Sequence, residues 1–312
     1  MQWGHIKTLF ILSFLLLNIY LVIQFAEKQN AADMTVLDNS ESTIEEQLES
    51  ENITVEAAIE TELTEASYTE VSLKRLTDED LSELGRLDDQ TSAVINNNFI
   101  VSAFDEPIPL HPPYTAESLS NEVKNHILYP EEYEFWGWDT DLNVLVFFQH
   151  RQERPIYFNQ NGLVLVYLNE ENEMTHYTQT ILGEGEAQGG AKTLLQPMQA
   201  IGSLYNRGNL RPEETVTDVS IGYYARIATE GVQVFAPTWK VTIESKDDEE
   251  RHYFVNAIEG LVFESDTTAF LREVMEEQID KINTLDEDSK IRNSILQQLH
   301  DRLEIENRSG GE

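Results

Sequence analysis

An apolar run close to the N-terminus is the clearest pattern in the chain. Nineteen uncharged residues, Thr8 to Ala26, lie between Lys7 and Glu27. As a helix they would extend roughly 28 Å, close to the hydrocarbon thickness of a bilayer. The run therefore predicts one transmembrane helix over 8–26, with residues 1–7 in the cytoplasm and the remaining chain outside the cell membrane. The alternative is a cleaved signal peptide, although its apolar core is usually shorter, about 7–15 residues.

Three polar side chains interrupt this run: Ser13, Asn18 and Gln24. Asn18 lies near the predicted bilayer centre, where an unpaired amide is costly. Polar residues in this position often hydrogen-bond to a second helix. Ser13, Asn18 and Gln24 are therefore the candidate partner-binding residues, and Asn18 is the first of them. A polar residue that is merely tolerated in lipid is the alternative.

Residues 27–91 are predicted to form an acidic, largely disordered stalk. Between Asp33 and Asp89 the chain has eighteen acidic and three basic residues, and its only aromatic residue is Tyr68. Little apolar surface is available there to offset the entropy lost on ordering the chain. The alternative is that part of this segment, such as Val71 to Leu84, packs as a helix.

The pattern changes to one typical of folded structure over residues 92–182. Short strands are expected near Ala93 and Phe99. Thr115 is placed to cap a helix that has Leu119, Val123 and Ile127 on one face. Turn sequences then separate five predicted strands, which are Tyr133–Trp138, Leu142–Gln149, Pro155–Phe158, Leu163–Leu168 and Met174–Leu182.

The same order recurs over residues 183–264. A Gly/Glu linker, Gly183–Gly190, is expected to precede a helix over Ala191–Tyr205. Further strands are predicted at Val216–Arg226, Val232–Phe235, Thr238–Glu244, His252–Ala257 and Gly260–Phe263. The fold class is therefore α+β, with two helix-plus-antiparallel-sheet subdomains at 92–182 and 183–264.

Residues 265–312 are predicted to form two amphipathic helices separated at Asn283–Asp288. One apolar stripe contains Phe270, Leu271, Val274, Met275, Ile279 and Ile282, and the other contains Ile291, Ile295, Leu296, Leu299 and Leu303. These stripes could pack on the sheet, on each other or on a partner helix, and packing within the chain is favoured.

Composition and charge narrow the function. The 312 residues include no Cys, which excludes disulfides, thiolate metal sites and cysteine nucleophiles. There are 21 Lys and Arg against 57 Asp and Glu, for a formal charge of −36. Such a surface repels phosphate groups, so nucleic acid is not expected as a partner.

No arrangement of residues predicts catalysis, a metal site or a cofactor. The seven His are scattered along the chain. Asp139–Asn143 opens like a calcium loop, but Val144 stands where Gly is required and His150 where Glu should close the loop. Gly183–Gly190 lacks the spacing and the Lys of a phosphate-binding loop. These patterns favour a binding or regulatory module over an enzyme, and an anchored hydrolase has almost no support.

Several short motifs resemble the YycI family, whose members are membrane-anchored regulators encoded with the essential cell-wall two-component system of low-GC Gram-positive bacteria. They are the N-terminal run from Trp3 to Ile11, Ala200–Arg207, Gly222–Tyr224 and Pro237–Val241. The resemblance covers roughly residues 1–26 and 92–264, and it leaves 265–312 as an addition. Within the motifs, Tyr205, Tyr224 and Trp239 are expected to be structural core residues.

The resemblance implies an α+β ectodomain similar to PepSY-type domains and a function without catalysis or cofactors. Family members associate through membrane helices and ectodomains with a sensor histidine kinase and with a sister regulator, YycH, and together they tune the kinase. The expected partners are therefore a sensor histidine kinase, a YycH-like regulator and the membrane. The alternative is an anchored protease-inhibitor or chaperone-like module of the PepSY type.

Overall fold

Within the part of the chain that the structure describes, fourteen strands are linked into one large, mostly antiparallel sheet, and helices pack on its faces. The structure is a computed structural model. It describes residues 7, 10–15, 17–21, 41–59, 63–229, 232–246 and 250–309.

The helices are α1 (Glu41–Ser50), α2 (Asp78–Leu84), α3 (Ala116–Lys124), α4 (Pro197–Arg207), α5 (Thr267–Ile282) and α6 (Lys290–Ser309), with one 3₁₀ turn at Pro130–Glu132. The strands are β1 (Thr54–Val55), β2 (Glu65–Leu73), β3 (Gln90–Ile95), β4 (Phe99–Pro109), β5 (Tyr133–Asp139), β6 (Val144–Arg151), β7 (Arg154–Tyr157), β8 (Leu163–Leu168), β9 (Glu173–Thr180), β10 (Leu182–Thr193), β11 (Thr215–Thr229), β12 (Val232–Glu244), β13 (Glu250–Asn256) and β14 (Val262–Glu264). The mixed α+β class predicted from the sequence is confirmed.

The sheet consists of two groups of strands joined by β7. In the first group the order is β5-β6-β8-β9-β4-β3, and every pairing is antiparallel. In the second group β12 pairs with β11, β13 and β2, while β10 pairs with β2 and β14 with β13. Strand β7 continues the β6 hairpin and runs parallel to β11, with Tyr224 opposite Tyr157. The short strand β7 therefore connects the two groups of strands.

Each group of strands is covered by a helix with an apolar face. Leu119 and Val123 of α3 are buried over β4, β6 and β8. This helix begins where predicted, because the Thr115 hydroxyl accepts a hydrogen bond from the Ser118 amide at 3.2 Å. Ile201 and Leu204 of α4 are buried over β12 and β13. One helix with a buried apolar face therefore packs on each group of strands.

The C-terminal helices pack within the chain, as favoured from their apolar stripes. Leu271, Met275 and Ile282 of α5 and Ile295 and Leu299 of α6 are almost fully buried. They share one hydrophobic core with strands β4, β6 and β8, on the face opposite α3. The break between the two helices falls at residues 283–289, one residue longer than the predicted break.

The acidic segment differs most from its prediction. Instead of a largely disordered stalk over 27–91, residues 41–59 and 63–91 contain α1, β1, β2 and α2. Leu48 and Ile53 are buried against α4 and β12, and Val71 is buried beside β12. The physical reason is that a few apolar residues, spaced among the acids, are buried in the hydrophobic clusters of the sheet, while most of the carboxylates are exposed.

The predicted Gly/Glu linker at Gly183–Gly190 is also wrong. These residues belong to β10, which pairs with β2 from Leu182 to Thr193. The glycines allow close approach, since a Cβ on Gly185 would lie 2.6 Å from Thr69 Cγ2. Helix α4 therefore begins at Pro197, later than the predicted start at Ala191.

The N-terminal run is described in part. Residues 10–15 and 17–21 are helical, and their apolar side chains are exposed, Phe10 at 73% and Tyr20 at 59%. Among the described residues, no helix is both long enough and apolar enough to cross a membrane.

Candidate functional site

The polar residues of the N-terminal run do not share one helix face. Ser13 and Asn18 are both helical and exposed. They are five positions apart, which turns their side chains about 140° from each other at 3.6 residues per turn. A single neighbouring helix would therefore contact one of them and not the other. Gln24, the third predicted residue, lies outside the described residues.

Trp239 positions the residues that immediately precede helix α4. Its ring is buried in β12 with 3% exposure, and its indole Nε1–H donates a hydrogen bond to the Leu195 carbonyl oxygen at 2.8 Å. Because a buried indole needs an acceptor, this bond sets the position of the segment just before α4.

Tyr224 has the same role at the start of the C-terminal helices. Its hydroxyl lies 2.9 Å from the Ser265 hydroxyl, two residues before α5. Its ring packs against Phe263 and Phe254, with centroids 4.5 and 5.7 Å away. Strand β11 is therefore tied to the chain that leads into α5.

Tyr205 connects α4 to the acidic segment. Its hydroxyl donates a 2.9 Å hydrogen bond to Glu51 Oε1, just after α1. This bond to the carboxylate raises the pKa of Tyr205. The contact between the two helices is close, because a Cβ on Gly202 would lie 3.3 Å from Ile44. The three motif residues thus bond to three different segments of the chain, and none of these contacts joins one motif residue to another.

A polar cluster lies between the sheet and the C-terminal helices. The Tyr167 and Thr178 hydroxyls both donate to Gln278 Oε1 of α5, at 2.8 and 3.2 Å. Thr175 donates to Gln298 Oε1 of α6 at 3.1 Å. The cluster therefore adds directional contacts to an interface that is otherwise apolar.

Arg302 of α6 is the charged member of this cluster. Its guanidinium donates to the carbonyl oxygens of Leu142, Asn143 and Leu168, where β8 ends and β6 begins. Its carbon Cζ lies 5.4 Å from the Tyr167 ring centroid. Burial lowers the pKa of Arg302 from its usual value. The side chain thus fastens the last helix to three strand-end carbonyls.

His176 is buried beside it, with 1% exposure. Burial, together with the nearby Arg302 charge, holds the pKa of His176 well below its usual value. The imidazole is therefore neutral in the folded protein. Its Nδ1 lies 3.0 Å from the Thr175 hydroxyl.

Sequence reasoning missed this cluster. Gln278 interrupts the apolar stripe of α5 between Met275 and Ile279, and that interruption was the available signal. Arg302 and His176 carried no comparable signal, since only the tertiary structure shows which polar residues of a helix or strand are buried. Among the described residues, no group of three or more His, Asp or Glu side chains could hold a metal ion.

The fold and these contacts define a mixed α+β protein with an exposed apolar N-terminal helix and one large sheet, on which the acidic segment and the C-terminal helices pack. A family model for the YycI protein matches residues 32–258. The match covers well over half of the chain, and the protein therefore belongs to the YycI family. Membership supports a regulatory role connected with a two-component system.

The extent of this match differs from that of the predicted resemblance, which covered roughly residues 1–26 and 92–264. The match begins inside the acidic segment, so α1, β2 and α2 are part of the family region. It ends before α5, which leaves the C-terminal helices outside it.

No curated protein matches the sequence. Among solved structures, an uncharacterized protein from Eubacterium rectale ATCC 33656 is similar, with a TM-score of 0.42 and 10% sequence identity. The similarity covers 69% of this chain and 91% of that chain.

Proposed function

We propose that the protein is a non-enzymatic regulator, anchored in the cell membrane by residues 8–26, whose folded domain lies outside the cell and tunes a sensor histidine kinase together with a YycH-like partner. Membership of the YycI family carries this proposal. The two groups of strands, each with a helix packed on one face, support the finer proposal of two PepSY-like units.

The exposed apolar helix supports a role for the N-terminal run in anchoring and recognition. Nine large apolar side chains between Phe10 and Leu21 are at least 49% exposed, so the described part of the chain does not bury them. Side chains of this kind are stable in a bilayer or against another helix. Asn18 would then supply the directional contact to a kinase helix.

A small bias is enough for regulation. A partner that binds two kinase states with affinities differing tenfold shifts their ratio by about 1.4 kcal/mol. A helix packed beside the kinase helices, held there by a membrane, can provide such a difference without catalysis.

The test is a crosslinking pull-down from native membranes. It compares the full chain with a chain in which residues 1–26 are replaced by an unrelated anchor. We expect the full chain to capture a sensor histidine kinase and the replacement to capture much less. Equal capture by the two chains would mean that the folded domain binds the kinase. If neither chain captures a kinase, the protease-inhibitor or chaperone-like alternative is favoured.

Two single variants refine the result, because Ser13 and Asn18 lie on different faces. Asn18→Leu is expected to reduce kinase capture several-fold, and Ser13→Leu is the matched polar-to-apolar control on the other face. Unchanged capture with Asn18→Leu would remove Asn18 from the proposed contact.

A further inference from the structure

The last helix, α6, can leave the sheet without breaking a strand pairing. Ile291, Ile295 and Leu299 are among its buried residues, and they belong to the core that contains β4, β6 and β8. Residues 283–289 connect α6 to α5, which has its own buried stripe in the same core. A terminal element held by side-chain contacts opens locally at a lower free energy than the whole fold. The contacts of α6 therefore decide whether this face of the sheet is covered.

A buried histidine of β9 lies beneath α6. His176 is 1% exposed, and it is paired with Ala103 of β4 on one side. On the other side its ring stacks on Tyr167 of β8. Its Nε2 atom is buried and has no hydrogen-bond partner among the residues that the structure describes. Buried polar atoms are normally hydrogen-bonded, so this atom calls for a physical explanation.

The hydrogen bonds of Thr175 show which nitrogen of His176 carries the proton. The Thr175 hydroxyl lies 3.1 Å from the Tyr167 carbonyl oxygen and 3.1 Å from Gln298 Oε1, and both oxygens only accept hydrogen bonds. A hydroxyl has one proton to donate, and here it donates to one of these oxygens. The hydroxyl therefore accepts at its 3.0 Å contact with His176 Nδ1, so Nδ1 carries the proton of the neutral ring. An additional proton would bind at Nε2, where the described residues offer no acceptor.

The charged group that faces His176 is Arg302 of α6. Burial of the imidazole and the positive charge of Arg302 lower the pKa of His176, and they outweigh the Gln298 amide, which favours the charged ring. The guanidinium is held in place by its hydrogen bonds to the carbonyl oxygens of Leu142 and Leu168. Its charge therefore stays close to the imidazole for as long as α6 is docked.

The described residues of the neighbouring elements supply no carboxylate that would balance a second positive charge. Strands β3 and β8 contain no charged residue. In β9, the Glu173 carboxylate accepts a hydrogen bond from the turn before the strand. In α5, Glu277 is paired with Lys281 at 2.7 Å. The carboxylates of β4 and of the described part of α6 are exposed to solvent, and they are Asp105, Glu106 and Asp301.

We propose that α6 is an acid-sensitive cover of the sheet, which stays docked while His176 is neutral and is released when Nε2 takes up a proton. In the released state water can accept the new N–H, and Arg302 moves away with its helix. Protonation therefore favours release over docking. This proposal goes beyond the regulatory function above and does not depend on the N-terminal run, so either proposal can fail alone.

The pH range of the release follows from the two states of His176. In the released state its pKa returns to the usual value of about 6.5, whereas the docked state has a lower pKa. Docking is fully favoured above pH 6.5 and weakens as the pH falls towards the docked pKa. One pH unit below 6.5, uptake of the proton favours the released state by about tenfold. The released fraction should therefore rise about tenfold between pH 7.5 and pH 5.5.

Hydrogen–deuterium exchange of the full-length chain in mild detergent measures the release. Protection factors of backbone amides are compared at pH 7.5 and pH 5.5, after correction for the intrinsic exchange rate at each pH. We expect the protection of the α6 amides to fall about tenfold. At pH 5.5 the amides of β8 should remain at least tenfold better protected than those of α6, because the sheet stays paired. Unchanged protection of α6, or equal protection of α6 and β8 at pH 5.5, would overturn the proposal.

Two matched variants assign the effect to one histidine. His176→Gln cannot take up a proton in this pH range, so the change in α6 protection should shrink to less than about twofold. His300→Gln is the control, because His300 is exposed on α6 itself, and it should keep the tenfold change. If His176→Gln does not fold, His176→Phe gives the same comparison. A tenfold change that persists without His176, or that disappears in His300→Gln, would contradict the proposal.

Discussion

The ring of Tyr167 stacks on the imidazole of His176, with centroids 4.2 Å apart and planes only 6° from parallel. The two residues are cross-strand neighbours in β8 and β9, and both are almost completely buried under the C-terminal helices. The Arg302 guanidinium carbon Cζ lies 5.4 Å from the centroid of the same Tyr167 ring. A proton added to His176 would therefore be buried near an existing positive charge.

Stability should consequently fall as the pH drops below about 6.5. The folded pKa of His176 lies well below 6.5, so the unfolded chain takes up the proton first. The stabilisation that depends on a neutral His176 is complete above pH 6.5 and is lost as the pH falls towards the folded pKa of His176. His126 and His252 also have lowered pKa values through burial, and they act in the same direction. Urea unfolding of the full chain at pH 7.5 and pH 5.5 measures the sum.

The variant His176→Phe isolates the contribution of His176. Phenylalanine keeps a ring against Tyr167 and cannot be protonated, so the loss of stability between pH 7.5 and 5.5 should be smaller than in the parent. An identical pH dependence in the variant would show that His176 does not titrate in this way.

Removal of the Arg302 guanidinium should loosen the C-terminal helices. Arg302→Met keeps much of the apolar stem but leaves the carbonyl groups of Leu142, Asn143 and Leu168 without this donor. We expect a loss of about 2–4 kcal/mol in the free energy of unfolding. Gln297→Ala, at an exposed position of the same helix, should change it by less than about 0.5 kcal/mol. Similar urea midpoints for both variants would contradict the fastening role of Arg302.

The glycine in the Gly222–Tyr224 motif has a packing explanation that a substitution can test. A Cβ at Gly222 would lie 2.4 Å from Tyr157 Cε2 and 2.6 Å from the Pro155 carbonyl oxygen. Gly222→Ala should therefore separate β11 from β7, at a cost of about 3 kcal/mol. Gly137→Ala in β5 is the control, because nothing lies within 4 Å of its added Cβ. Thermal unfolding that moves equally in both variants would reject this explanation.

Patterns with a regular period were predictive in this chain. The stripes containing Leu271 and Ile295 predicted both C-terminal helices and their burial. A buried helix needs apolar residues at this spacing whichever surface it packs against. Thr115 likewise predicted the start of α3.

Composition was less informative than position. The acidic excess around Leu48 and Val71 suggested disorder, but a few well-placed apolar residues in that segment are buried. The glycines of β10 suggested a linker, although they allow close pairing with β2. The buried site around Arg302 depends on contacts between residues more than 100 positions apart, which no local pattern encodes.

The folding of the acidic segment onto α4 gives the last prediction. Leu48 is 3% exposed in α1 and shares a core with Ile201 and Leu204. Leu48→Ala should therefore lower the free energy of unfolding by about 2–4 kcal/mol, whereas a disordered stalk would lose nothing. The neighbouring Glu49 is exposed, so Glu49→Ala is the matched control and should stay within about 0.5 kcal/mol of the parent. Urea unfolding followed by tryptophan fluorescence distinguishes a docked helix from a disordered stalk. A docked helix shifts only the unfolding midpoint of Leu48→Ala, whereas a stalk would leave the midpoints of both variants unchanged.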